Sequence, residues 1–126
     1  MKRLISASVI LLLIAVLSVG GVCYEQAVFH KAEKEMSEAK LACQNNLPLE
    51  AARHTKQAVK EWEKEQKLLM MLLSHTGLNR ISDDLHYAQT LAQREDLPEL
   101  ESQCQLIRDE LQHLSDKELP KPYNIL

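Results

Sequence analysis

Residues 4–24 read LISASVILLLIAVLSVGGVCY, preceded by Met1-Lys2-Arg3 and broken by the first acid, Glu25. An uncharged, mostly apolar run of that length, rising 1.5 Å per residue as a helix, matches the ~30 Å hydrocarbon layer of a bilayer. The two basic residues stand on the short N-terminal side, where the positive-inside bias holds them in the cytoplasm. The sequence therefore predicts a single-pass anchor over residues 1–24, in contact with the lipid bilayer through 4–24. An exported domain over 25–119 and a proline-rich tail over 120–126 follow it.

A cleaved secretory signal is the competing reading. Ser18-Val19-Gly20 meets the small-residue rule for a cut after Gly20, which would release the domain as a secreted protein. Lipidation is disfavoured because Val22, not a small residue, stands before Cys23. The apolar run also continues through Val22-Cys23-Tyr24, further than a signal needs, so a retained anchor is the preferred reading. Either way the domain lies outside the cytoplasmic membrane.

What remains is about a hundred residues, one small domain with a thin core. Setting aside Lys2 and Arg3, thirteen basic residues face eighteen acidic ones, a formal charge of −5. Long basic runs are absent, which disfavours nucleic acid as a partner. Glu61, Glu63, Lys64, Glu65 and Lys67 interleave as on a solvated helix face, with Glu63–Lys67 an i,i+4 pair. Of the three cysteines, Cys43 and Cys104 fall in the exported domain, where an oxidising compartment permits a bridge.

Beyond the anchor, apolar residues recur at spacings of three and four, the helical period. Phe29, Ala32, Met36, Ala39 and Cys43 form one stripe. Ala52, Thr55, Val59, Trp62, Gln66, Leu69 and Leu73 form a second, and Leu78, Ile81, Leu85, Ala88 and Ala92 a third. Leu100, Cys104, Ile107, Leu111 and Leu114 form the fourth. The expected fold is all-α: a transmembrane helix followed by two antiparallel helical hairpins, arranged as a four-helix bundle or a short TPR-like solenoid. With no proline or glycine between Val22 and Asn46, the first exported helix can run on from the anchor.

The predicted boundaries rest on capping chemistry. Asn46-Leu47-Pro48 offers an N-cap and a proline in the first turn. Asp96-Leu97-Pro98-Glu99 repeats the arrangement with a capping-box acid. Gly77 is placed as a helix terminator, with His75 beside the carbonyl end of that helix. Asn79 then caps the next helix, with Asp83 and Asp84 near its positive end. Leu41-Ala42 with Leu47-Pro48 recurs in the same register as Leu91-Ala92 with Leu97-Pro98, a faint internal repeat of helical hairpins.

Trp62-Glu63-Lys64, the apolar run Leu68 to Leu73, Ser74-His75, Leu78 and the terminal Asn124-Ile125-Leu126 resemble a bacterial family of small, singly anchored proteins. It is the one known as domain of unknown function 4363. The resemblance spans nearly the whole chain, on short motifs of which the terminal tripeptide is the most distinctive. It implies the architecture and exposure to the exterior, and no enzymatic activity. Cys43 and Cys104 lie outside its pattern.

Signals for catalysis are missing from the sequence. No Gly-rich phosphate loop and no Gly-x-Ser-x-Gly elbow occurs, and Cys104 sits on an apolar stripe where a thiol is a small hydrophobe. No His-x-x-x-His or acidic cluster surrounds His75 or His86, so no metal or cofactor is expected. His30, His54 and His113 read as surface. Trp62 reads as core, and Cys43 and Cys104 as inward thiols.

Leu68-Leu69-Met70-Met71-Leu72-Leu73 covers every side of a helix with apolar groups, so it is buried all round, packed on a partner or dipped into lipid. The expectation is a patch of Leu68, Met70, Met71, Leu72, Ile125 and Leu126 at the membrane-proximal end. The predicted function is a non-enzymatic, membrane-tethered accessory protein of the bacterial envelope that binds a protein partner, with oligomeric state open. A ligand- or metal-sensing domain using groups such as His75 and Asp83 is the alternative.

Overall fold

A computed structural model describes residues 1–72 and 75–118 of the chain, with the side chains of 1–71 and 77–116. Within them lie four helices and no strand: α1 Lys2–Gln44, α2 Pro48–Leu72, α3 His75–Gln93 and α4 Leu97–Glu118. The tail at 120–126, Leu73, and the Leu72 and His75 side chains are outside what is described.

The apolar segment and the helical residues that follow it form one 43-residue helix, α1. Its N-terminal part is long and apolar enough to cross a membrane and is buried nowhere in the protein. From Val28 onward the same helix turns a buried stripe inward: Phe29, Ala32, Met36, Ala39 and Cys43. Small alanines at 32 and 39 let the neighbouring helices approach, and Met36 fills the space between them without residual exposure.

Each helix packs antiparallel on the next, and α4 returns to α1 to close the ring. Lys40 Nζ donates to Gln105 Oε1 at 2.8 Å, and Ser115 Oγ to Gln26 Oε1 at 2.6 Å, which fixes the α1–α4 register. That closure makes the domain a four-helix bundle and rules out an open TPR-like stack. Among the described residues twenty-three hydrophobic side chains from all four helices form one core. The stripes at Leu78–Ala92 and Leu100–Leu114 are buried at every predicted position, whereas Ala52 and Gln66 of the second stripe are only half-buried.

The turns differ from the expectation. Asn46 does not cap α2. It lies in the left-handed region with φ 56° and ends α1. The Asn46 N–H donates to the Cys43 carbonyl at 3.1 Å and the Leu47 N–H to the Ala42 carbonyl at 2.8 Å. This is the Schellman arrangement, which satisfies the last free carbonyls of a helix. Glu95, at φ 57°, does the same after α3, with the Asp96 N–H on the Leu91 carbonyl at 3.1 Å. The left-handed residues are therefore Asn46 and Glu95, one position out of step with the Leu-Pro repeat. As a result Pro48 opens α2 as its first residue, whereas Pro98 is the second residue of α4. Asp96 does cap α4, accepting the Glu99 N–H at 3.4 Å, but its own N–H is taken by Leu91 and not by the expected Glu99 carboxylate.

Gly77 is a further correction. It ends no helix, and no glycine has a positive φ among the described residues. It sits in the first turn of α3, and a Cβ there would meet Leu114 Cδ1 at 3.2 Å. Its smallness serves the close approach of α3 to α4. His75 accordingly opens α3 and does not stand at a carbonyl end, and Asn79, Asp83 and Asp84 lie within α3 beyond any capping position.

Candidate interaction surface at the anchor end of the bundle

Three contacts set the register of α2 against α1. His54 Nδ1 meets Glu35 Oε2 at 2.8 Å, Trp62 stacks on Phe29 with centroids 6.3 Å apart, and the Tyr24 hydroxyl donates to the Glu65 carboxylate. Carried on at one helical rise per residue, this antiparallel register brings Leu68–Met71 beside residues 18–23, the C-terminal end of the apolar span.

The apolar run there is not uniform. Leu69 is fully buried and Met70 packs against the core, whereas Leu68 is 47% and Met71 82% exposed. The expectation of one patch of Leu68, Met70, Met71 and Leu72 therefore splits. Leu69 and Met70 hold α2 to the bundle, and Leu68 and Met71 face outward. Ile125 and Leu126 fall outside the described residues. Exposed leucines also occur at the opposite pole, where Leu41, Leu47 and Leu49 surround the α1–α2 turn.

The other singled-out residues are structural. Trp62 is 1% exposed and belongs to the core, and its Nε1 is buried without a hydrogen-bond partner. Cys43 and Cys104 are both buried free thiols. Burial, with the Glu101 carboxylate nearby, pushes Cys43 up to about 11. Burial beside Cys43 pushes Cys104 up to about 12. Both stay protonated at neutral pH, and a protonated thiol is a poor nucleophile.

His54, read as surface, is half-buried between Glu35 and, at 3.9 Å, Glu50. Glu63 does not pair with Lys67 among the described residues but meets His86 Nε2 at 2.8 Å, while His86 Nδ1 lies 2.7 Å from the Ser82 carbonyl. The Ser82 carbonyl first, then Glu63, raises the His86 pKa above its ordinary value. Asp83 is exposed on α3. Among the described residues no three His, Cys, Asp or Glu side chains are grouped to hold a metal ion.

Sequence reading missed the Asp84–Glu110 pair, because partners on different helices leave no spacing signal. Burial, then the hydrogen bond and charge of Asp84, push Glu110 up to about 7, and Arg80 opposes them weakly. Its Oε2 is buried without a partner among the described residues. A carboxyl whose folded pKa lies above the ordinary 4.5 contributes stability that is full below 4.5 and lost as pH rises through about 7. Discounted for solvent screening, that loss is about 1 kcal/mol. Glu110→Gln should keep a donor on Asp84 at every pH. Its expected signature is a melting temperature above wild type at pH 8 and equal to it at pH 4.5, by thermal circular dichroism. A constant offset at both pH values would contradict the shared proton.

The family model for DUF4363, a domain of unknown function, matches residues 22–125. The chain belongs to this family. No curated protein and no solved structure matches it. The match takes in the whole bundle and only the last residues of the apolar span, so it bears on the helical domain and brings no activity with it.

Proposed function

We propose that this DUF4363 protein is a membrane-tethered, non-enzymatic accessory protein of the bacterial envelope that engages an integral membrane protein. In this reading the N-terminus is cytoplasmic and the bundle extracytoplasmic, following Lys2 and Arg3. The observation that carries it is the unbroken α1 helix. Residues 1–20 are exposed throughout, and the second part of the helix supplies the bundle core with no linker between. Such a joint fixes the height of every surface relative to the bilayer. In this reading Leu68 and Met71 lie at the outer membrane boundary, where a partner embedded in or resting on the membrane would meet them. Two flexible side-chain types suit an adaptable helix-to-helix contact there.

The test is in-cell photo-crosslinking from position 71, with position 49 as control. Leu49 is as exposed as Met71 (83% and 82%) but sits at the far pole. A discrete crosslinked species in the membrane fraction from position 71 and none from 49 is the expected result. Equal yields from both, or none from 71, would remove the proposed surface.

A further inference from the structure

A groove of about 400 Å³ runs between α1 and α2 just above the apolar span. Its apolar lining comes from Ala27, Val28, Ala32 and Trp62. Lys31 from α1 and Lys60 and Lys64 from α2 line its rim. Lys60 and Lys64 are one helical turn apart, and the α1–α2 register sets Lys31 opposite Lys60.

The charges are unevenly committed. Two acids also line the groove, but Glu65 takes the Tyr24 hydroxyl and Glu61 accepts from Gln57 Nε2 at 2.9 Å. Among the described residues none of the three lysines forms an ion pair or a hydrogen bond. The hydrogen bonds leave both carboxylates charged, so three unpaired ammoniums against two acids give the groove a net positive charge, which favours an anion with hydrophobic parts.

Height identifies the anion. If the span ends at Tyr24, Lys31 stands seven residues further along the same helix, about 10 Å above the hydrocarbon edge. Lys64, level with residues 25–27, stands lower still. The interfacial layer of a leaflet is roughly 5–8 Å deep, and a lysine stem reaches several ångströms further while keeping its head in polar surroundings. The groove therefore opens at the depth where lipid phosphates lie. We propose that it seats the headgroup of an anionic phospholipid of the outer leaflet, its phosphate on Lys31, Lys60 and Lys64. This rests on the membrane-tethered reading above.

Full-length protein is placed in nanodiscs of phosphatidylcholine with a minor share of phosphatidylglycerol, extracted gently, and its retained lipids are weighed by native mass spectrometry. Wild type should retain phosphatidylglycerol over phosphatidylcholine by about thirtyfold or more relative to the disc composition, the scale expected of two or three lysines near a membrane surface. Lys60→Gln with Lys64→Gln should abolish that enrichment. Lys34→Gln with Lys56→Gln, the same charge change at exposed lysines outside the groove, should keep it. Equal loss in both pairs would mean a diffuse surface field and overturn the groove. No enrichment in wild type would overturn it too, as would displacement of the lipid by soluble glycerol phosphate, which would assign the lysines to a free phosphate. Failure of the protein to enter the disc would instead refute the tethered reading itself, and the lipid site with it.

Discussion

Trp62→Ala should cost about 4 kcal/mol, among the largest effects of any single substitution in the bundle. The ring is 1% exposed and stacks on Phe29 at an interplanar angle of 25°. Truncation empties the volume that the ring fills between α1 and α2 beside Phe29, and a cavity of that size collapses only in part. Domains of this size have about 5–15 kcal/mol in total, and about 4–8 °C of melting temperature accompanies each kcal/mol. The expected result is a fall of roughly 20 °C in thermal circular dichroism. Trp62→Phe is the informative companion. Nε1 has no hydrogen-bond partner, so the smaller ring forfeits area and no hydrogen bond. It should lose about 1–2 kcal/mol. Equal losses from Ala and Phe would show that the indole edge, not its bulk, holds the helices together.

The fold was legible because periodicity reports burial directly. Phe29, Met36, Leu85, Ile107 and Leu111 could be assigned to the core from spacing alone, since a three-four recurrence means one face of a helix whatever that face meets. Helix ends were less legible. Asn46 has an ordinary capping identity and Glu95 an ordinary surface one, and only the positive φ and the hydrogen bonds that follow, to Ala42 and Leu91, reveal that each ends a helix. Gly77 misled for the opposite reason. Its absent Cβ is used for contact with Leu114, and a sequence does not distinguish a glycine needed for φ from one needed for space.

The surface was harder still. Leu68–Met71 stood out as apolar, but which of its residues turn inward depends on the rotation of α2 about its axis, fixed by distant pairs such as Tyr24–Glu65. The lysine groove escaped notice because Lys31 and Lys60 are 29 positions apart in a chain of mixed charge. Only the antiparallel register brings them level.

Deleting residues 2–21 should move the protein entirely from the membrane fraction to the soluble one while leaving the bundle folded. Residues 1–20 are exposed throughout, and nothing lies within 4 Å of a Cβ added at Gly20 or Gly21. Residues 2–20 therefore contribute nothing to the core, whose first fully buried hydrophobic residue is Val28, with Tyr24 packed against it. In water the exposed leucines, isoleucines and valines of that segment would each forfeit about 1–2 kcal/mol relative to an apolar medium. Eleven such residues would make partition into lipid effectively irreversible. The truncated chain loses all of that and keeps the four-helix ring, so its melting temperature should stay within about 5 °C, the equivalent of one kcal/mol. The remaining N-terminal turn of α1 carries Tyr24, whose hydrogen bond to Glu65 is the first contact expected to fray. Carbonate extraction followed by circular dichroism of the soluble product measures both quantities. A truncated chain that still pellets with membranes would place the attachment in the bundle surface. One that is soluble but unfolded would mean that α1 must be continuous for its second half to form.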